Sequence, residues 1–176
     1  MKFITNSRAL LIGLWLGAAC FFSFAVAPSA FGVLPTRELA GNIVSRTLMI
    51  VNFSGIVIGL LLILTTLVKR LDLTSFWLWT ERFLLLIVVA ACAVGQFVIA
   101  TWLAFLRAQI GKPIDEIALE DPLRIQFNAL HQYSVWALVT AMIAGLIVFF
   151  IISGKSFNNS AEKTSKDVDF QNDFVN

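Results

Sequence analysis

Four stretches of this chain carry no charged residue, and each is long enough to cross a lipid bilayer. They contain 28, 22, 24 and 30 residues and lie between Arg8 and Arg37, Arg46 and Lys69, Arg82 and Arg107, and Arg124 and Lys155. A membrane-spanning helix needs about 20 predominantly apolar residues. The sequence therefore predicts an all-α, polytopic membrane protein, an antiparallel bundle of four transmembrane helices.

The composition agrees with a membrane protein and argues against a nucleic-acid partner. Of the 176 residues, 59% are hydrophobic and 14% are charged, against about 45–50% and about 25% in soluble domains. The net charge is only +2, and no basic stripe lies outside the membrane flanks. We expect the lipid bilayer, and not a nucleic acid, to be the surroundings of this chain.

One transmembrane domain, residues 1–154, is expected, because the connecting loops are too short to fold separately. We call its helices spans 1 to 4 and predict them at about 8–31, 44–68, 75–106 and 122–153. Pro28 is expected to kink or end span 1, since proline lacks the N–H that a helix needs. Residues 155–176 are polar and predict a disordered tail.

The first apolar stretch has two interpretations. The segment Ala25-Val26-Ala27 is similar to a signal-peptidase site and follows a basic N-terminus. However, the apolar core is longer than a signal peptide needs, and Pro28 follows the supposed site. A retained span 1 is favoured, and cleavage would leave three spans.

Lysine and arginine are unequally divided between the two sides of the membrane. The side that holds both termini carries eight of them and the other side five. Because basic loops stay in the cytoplasm, we predict an integral protein of the bacterial inner membrane with both termini cytoplasmic.

Each predicted span holds two small residues four positions apart, a spacing that lets helix backbones approach closely. The pairs are Gly13/Gly17, Gly55/Gly59, Ala91/Gly95 and Ala141/Gly145. We expect most of them to form seams inside the bundle, whereas one or two could face another subunit. An internal repeat that aligns Arg8 with Arg82 is conceivable, but composition alone could produce its matches.

The uncharged runs hold several polar side chains that are candidates for a ligand site. Counted from the flanking arginines at 1.5 Å per residue, they crowd into the half of the membrane away from the termini. The candidates are Ser23, Asn52, Gln96, His131 and Ser134. Hydrogen bonds between helices, worth about 0.6–2 kcal/mol each, are the favoured interpretation. A polar pocket is the alternative.

His131, the only histidine, is the sharpest candidate in this group. It could bind a metal or serve as one axial ligand of a tetrapyrrole. The two cysteines, Cys20 and Cys92, are weak additional metal candidates, because both lie about a third of the membrane away from His131. We therefore predict no metal site and no cofactor.

Two segments resemble the transmembrane protein 205-like family, also called domain of unknown function 4149. They are LLIGLWLGAACFFSFAVAPSAFGVLP, residues 10–35, and FNALHQYS, residues 127–134. The family-like positions are Gly13, Gly17, Phe22, Pro28, Phe31, Pro35, Gly41, Leu130, His131 and Ser134. This resemblance implies a small four-helix membrane protein and implies no molecular activity.

Function remains the least constrained property. No Ser/His/Asp arrangement, carboxylate pair or metal-binding spacing is present, so we do not expect an enzyme. The leading hypothesis is an accessory or scaffold subunit that packs against other membrane subunits or forms a homo-oligomer. The alternative is a small-molecule or metal-handling protein that uses the polar cluster around His131.

Overall fold

The computed structural model describes the backbone of residues 2–68 and 75–173 and the side chains of residues 4–67 and 76–154. It is all-α, and four helical stretches are long and apolar enough to span a membrane. They are Ile4–Val33, Arg37–Leu67, Phe76–Ile110 and Pro122–Gly154. The predicted class and the number of spans are thus confirmed.

The regular elements follow the four spans in order. Span 1 comprises α1 (Lys2–Phe21), a π-helical segment (Phe22–Val26) and α2 (Ala27–Val33), and span 2 is α3 (Arg37–Val68). Span 3 comprises α4 (Ser75–Ala93), a second π-helical segment (Val94–Ile99) and α5 (Ala100–Ile110). A 3₁₀ turn (Ile114–Glu116) then leads to α6 (Pro122–Asp173), which contains span 4.

Side-chain and glycine caps define the helix ends on the far side, our term for the side where spans 2 and 4 begin. The Thr36 hydroxyl accepts the Leu39 N–H at 3.2 Å, so α3 begins seven residues before the predicted 44. Gly111 ends α5 with φ of 65°, and its N–H donates to the Arg107 carbonyl at 3.1 Å. Asp121 accepts the Leu123 N–H at 2.8 Å and caps α6 as the sequence predicts.

Pro28 does not end span 1, since α2 continues to Val33. It lies at the start of α2, directly after the π-helical segment. Inside a regular α-helix the proline ring clashes with the carbonyl four residues earlier. The widened π turn accommodates the ring and lets the helix continue.

The backbone of α6 is helical as far as Asp173, well beyond the predicted end at 153. The side chains from residue 155 onward lie outside the described residues. The predicted disorder of the polar tail stays a prediction.

The spans form an antiparallel ring in which span 1 packs on spans 2 and 4, and span 3 packs on the same two from the opposite side. One core cluster occupies the N-terminal side, where spans 1 and 3 begin, and a second lies on the far side. Arg107 joins spans there, because it donates to the Ser45 hydroxyl at 3.3 Å and lies over the Phe127 ring. Large apolar side chains such as Phe24 and Phe83 are exposed around the ring, as in a protein surrounded by lipid.

Candidate functional site

Trp15 occupies the centre of the bundle and shows how spans 2 and 4 align. We call the position of a residue along the bundle axis its level. Its indole N–H donates to the Val51 carbonyl at 3.0 Å, and only 2% of the residue is exposed. A Cβ atom on Gly55 would lie 2.7 Å from the indole nitrogen, and one on Gly145 would lie 3.0 Å from the far edge of the ring. Gly55 and Gly145 therefore stand at one level, on either side of the same indole.

Asn52 lies one helical turn beyond this level, towards the far side. It is 4% exposed and packs over Gly95 of span 3, where an added Cβ would lie 3.3 Å from the amide nitrogen. Glycine at position 95 therefore makes room for the Asn52 amide.

Met142 lies one turn beyond Gly145 and thus at the level of Asn52. Its sulfur accepts a hydrogen bond from the Ser23 hydroxyl at 3.9 Å, and the same hydroxyl donates to the Ala19 carbonyl at 2.8 Å. We call this level the central polar layer. It consists of Ser23, Asn52, Gly95, Gln96 and Met142.

Both π-helical segments lie in the central polar layer, one in span 1 and one in span 3. Ser23 belongs to Phe22–Val26, and Gly95 and Gln96 belong to Val94–Ile99. Such π-bulges are rare and occur frequently at functional sites. Two of them at one level single out this layer within the bundle.

The Asn52 amide has no hydrogen bond to any part of the chain that the structure describes. An amide can donate two hydrogen bonds and accept two. Asn52 is therefore equipped to bind a water molecule or a small polar ligand.

His131 and Ser134 do not join this layer. They precede Gly145 by 14 and 11 residues, which places them about 21 and 16 Å from its level. Asn52 is only about 4.5 Å from that level. Ser134 is buried and His131 is exposed, and the structure does not bring either of them to the level of Asn52.

The difference in level arises from where each helix begins. Arg46 and Arg124, the arginines that flank the uncharged runs of Asn52 and His131, do not lie at one level. Arg46 is exposed but lies nine residues inside α3, which begins at Arg37. Arg124 is the third residue of α6.

A buried ion pair lies on the N-terminal side and was not predictable from the sequence pattern. A guanidinium nitrogen of Arg8 lies 2.5 Å from a Glu81 carboxylate oxygen, and the side chains are 5% and 0% exposed. Arg8 also donates to the Leu62 carbonyl of span 2 at 3.4 Å. Both charges lie inside candidate membrane spans, Ile4–Val33 and Phe76–Ile110.

Arg82 makes a second contact at this end. Its side chain donates to the Thr66 hydroxyl at 3.1 Å and to the Thr66 carbonyl at 2.8 Å, and it lies over the Trp79 ring. Arginine thus bonds the C-terminal end of α3, which the helix dipole favours. In the sequence, the one indication of the buried ion pair is Glu81 itself, an acidic residue among the apolar residues of 76–106.

The two cysteines are unpaired, and neither has a set of metal ligands around it. Cys92 is buried, and its sulfur would lie 2.7 Å from a Cβ on Gly55. Cys20 is half-buried. Within the described residues no three His, Cys, Asp or Glu side chains come together.

The small residues predicted to form seams have different surroundings. A Cβ on Gly59 would lie 2.6 Å from the Val89 side chain, and one on Gly13 would lie 3.2 Å from the Phe149 ring. Ala141 is fully buried and Ala91 packs partly buried against the core. Gly17 is exposed, and a Cβ there would meet nothing within 4 Å.

Comparison with known proteins gives one family. The family described as "Domain of unknown function (DUF4149)" matches residues 10–112, which run from within span 1 through span 3 to the start of the following loop. The segment FNALHQYS with His131 lies outside the matched range. No curated protein and no solved structure matches the chain.

Proposed function

Because this chain belongs to the DUF4149 family, whose description names no activity, we propose its function from its own surface. It is a non-enzymatic membrane subunit that packs against other subunits or a second copy through helix–helix contacts. It serves as an accessory or scaffold component.

The observation that supports this proposal is an exposed polar face on span 4. Asn128, His131 and Gln132, spaced by three and four residues, lie on one side of the helix and are all exposed there. His131 follows Pro122 by nine residues and so lies about 13 Å into the helix. These polar side chains lie near the far-side end of span 4, and a partner that covers this face would satisfy their hydrogen-bonding groups.

The size of the native assembly tests the proposal. The full chain is extracted from its own membranes in mild detergent and sized, together with a variant that combines His131→Ala and Gln132→Ala. We expect the unmodified protein to migrate in an assembly and the variant to dissociate while its helical content is retained. Thr140→Ala, an exposed polar residue further along the same span, is the control and should leave the assembly intact. A single copy for the unmodified protein would contradict the proposal.

A second candidate function, the handling of a small molecule, is supported by Asn52 in the central polar layer. The absorbance spectrum, metal content and small-molecule content of the same purified fraction test it. A bound compound that is lost in Asn52→Leu and kept in His131→Ala would favour this second function.

A further inference from the structure

We infer that the bundle consists of two repeated helical hairpins, and that the Arg8–Glu81 pair is a latch that closes the N-terminal side where they meet. The first hairpin comprises spans 1 and 2 and the second comprises spans 3 and 4. This inference is independent of the proposed subunit role.

Spans 1 and 3 bury equivalent positions at a constant separation of 73 residues. The pairs are Arg8/Glu81, Ile12/Leu85, Trp15/Val88, Ala19/Cys92 and Phe22/Gly95, and all ten residues are buried. Any two helices with one buried face share a periodicity, so equal spacing alone does not show a repeat. The deciding evidence is whether the paired residues lie at the same position along the bundle axis. Contact between Arg8 and Glu81 places the first pair at one level. Contacts of Asn52 with Gly95 and of Met142 with Ser23, next to Phe22, place the last pair at one level.

Spans 2 and 4 correspond in the same way at a separation of 90 residues. The buried pairs are Val51/Ala141, Gly55/Gly145 and Leu62/Ile152. Gly55 and Gly145 both lie against the Trp15 indole, so this correspondence also holds in space.

The seams between the hairpins repeat as well. Asn52 of span 2 packs on Gly95 of span 3, and its counterpart Met142 of span 4 contacts Ser23 of span 1. Ser23 adjoins Phe22, the counterpart of Gly95. The hairpins therefore meet through two corresponding seams related by an approximate twofold axis along the bundle. The alignment of Arg8 with Arg82 considered from the sequence was one residue out of register.

Arg8 and Glu81 lie at equivalent positions and meet across the bundle, because spans 1 and 3 face each other diagonally. Two identical charges at such positions would repel each other in this buried place, whereas an arginine and a carboxylate attract. The two repeats thus carry opposite charges at this position, and the attraction between these charges joins them.

Three observations indicate a latch and not merely a contact. The pair closes the end of the bundle on its axis, and Arg8 also reaches span 2 at the Leu62 carbonyl. The Arg8 Nε atom is buried and has no hydrogen-bond partner among the described residues, so the closed state leaves one polar group unsatisfied. Both diagonal spans carry a π-helical segment about 21 Å further in, and helices bend at π-bulges. The N-terminal halves of spans 1 and 3 can therefore separate when the pair breaks.

Cys92 is a natural reporter of that opening. It is 1% exposed and lies 11 residues inside Glu81, about 16 Å from the ion pair. In a full-length Cys20→Ala background it is the only thiol. The protein is placed in lipid nanodiscs, a charged, water-soluble maleimide is added, and the labelling rate is measured by mass spectrometry.

We expect slow labelling of Cys92 in the parent and labelling about tenfold faster or more after Glu81→Gln, because removal of one partner leaves a buried charge unpaired. The double exchange Arg8→Glu with Glu81→Arg should restore slow labelling. Arg82→Gln removes a charged contact at the same end but off the axis, and should leave the rate near that of the parent.

Equal acceleration by Glu81→Gln and Arg82→Gln would overturn the inference, since it would reflect general loosening. Unchanged slow labelling in every variant would also overturn it. If Glu81→Gln cannot be recovered folded, the double exchange decides alone. A rate equal to that of the parent supports the latch, and a faster rate overturns it.

Discussion

Gly59 and Gly17 are both helical glycines but differ in the space that a side chain would enter. They are therefore a matched pair of sites for substitution by alanine. A Cβ on Gly59 would lie 2.6 Å from a methyl group of Val89, whereas one on Gly17 would meet nothing within 4 Å. Overpacking a core costs about 1–3 kcal/mol, and alanine forms helices more readily than glycine by about 1 kcal/mol. We expect Gly59→Ala to lower the melting temperature in detergent, measured by tryptophan fluorescence, and Gly17→Ala to leave it unchanged or raise it.

The same two variants can also be compared in the native assembly. If Gly17→Ala destabilises the native assembly but not the isolated chain, another molecule covers the open side of span 1. If Gly59→Ala has no effect on the isolated chain, spans 2 and 3 can separate at this seam without cost, contrary to the close contact between Gly59 and Val89.

At the scale of the element, Thr36 decides where span 2 begins. Its hydroxyl accepts the Leu39 N–H, and an N-cap serine or threonine contributes about 0.5–2 kcal/mol relative to alanine. We expect Thr36→Ala to lower the melting temperature. Thr47→Ala is the control, because the Thr47 hydroxyl bonds the Ile43 carbonyl inside the same helix and satisfies no free helix end. Equal losses in both variants would contradict a capping role.

The elements were predictable from the sequence where local chemistry determines them. The lengths of the uncharged runs predicted four spans, and Asp121 followed by Pro122 predicted the start of α6. The depth of Asn52 was not predictable from Arg46, because that requires knowing that α3 begins at Arg37. Pro28 was a signal of distortion in span 1, whereas the π-helical segment of span 3 contains no proline.

The burial of Arg8 and Glu81 was not predictable from the sequence, for a different reason. Each stands at the end of an apolar run, where a charge normally faces water or lipid headgroups. Their burial depends on which spans lie opposite each other, and nothing within either segment encodes that. The central polar layer has the same origin, because Asn52 and Gly95 belong to different spans and meet only in the folded bundle.

For the whole molecule, the distribution of basic residues predicts one orientation. The four spans found in the described residues put both ends of the domain on one side of the membrane, and that side carries eight Lys and Arg against five. The positive side stays in the cytoplasm. A green fluorescent protein fused to the C-terminus in a bacterial inner membrane should therefore fluoresce, and alkaline phosphatase fused at the same place should be inactive.

Variants at the loops test whether charge sets this orientation. Lys69→Gln with Arg70→Gln leaves six basic residues against five, so a fraction of the phosphatase fusion should become active. Arg37→Gln with Lys112→Gln removes the same number from the opposite side and should keep the phosphatase inactive.

The Arg8–Glu81 pair predicts how inversion affects stability, because both charges are buried within the bundle and should stay buried in an inverted chain. Inversion should therefore leave the melting temperature nearly unchanged, and a large loss would mean that the headgroup region contributes to stability at that end.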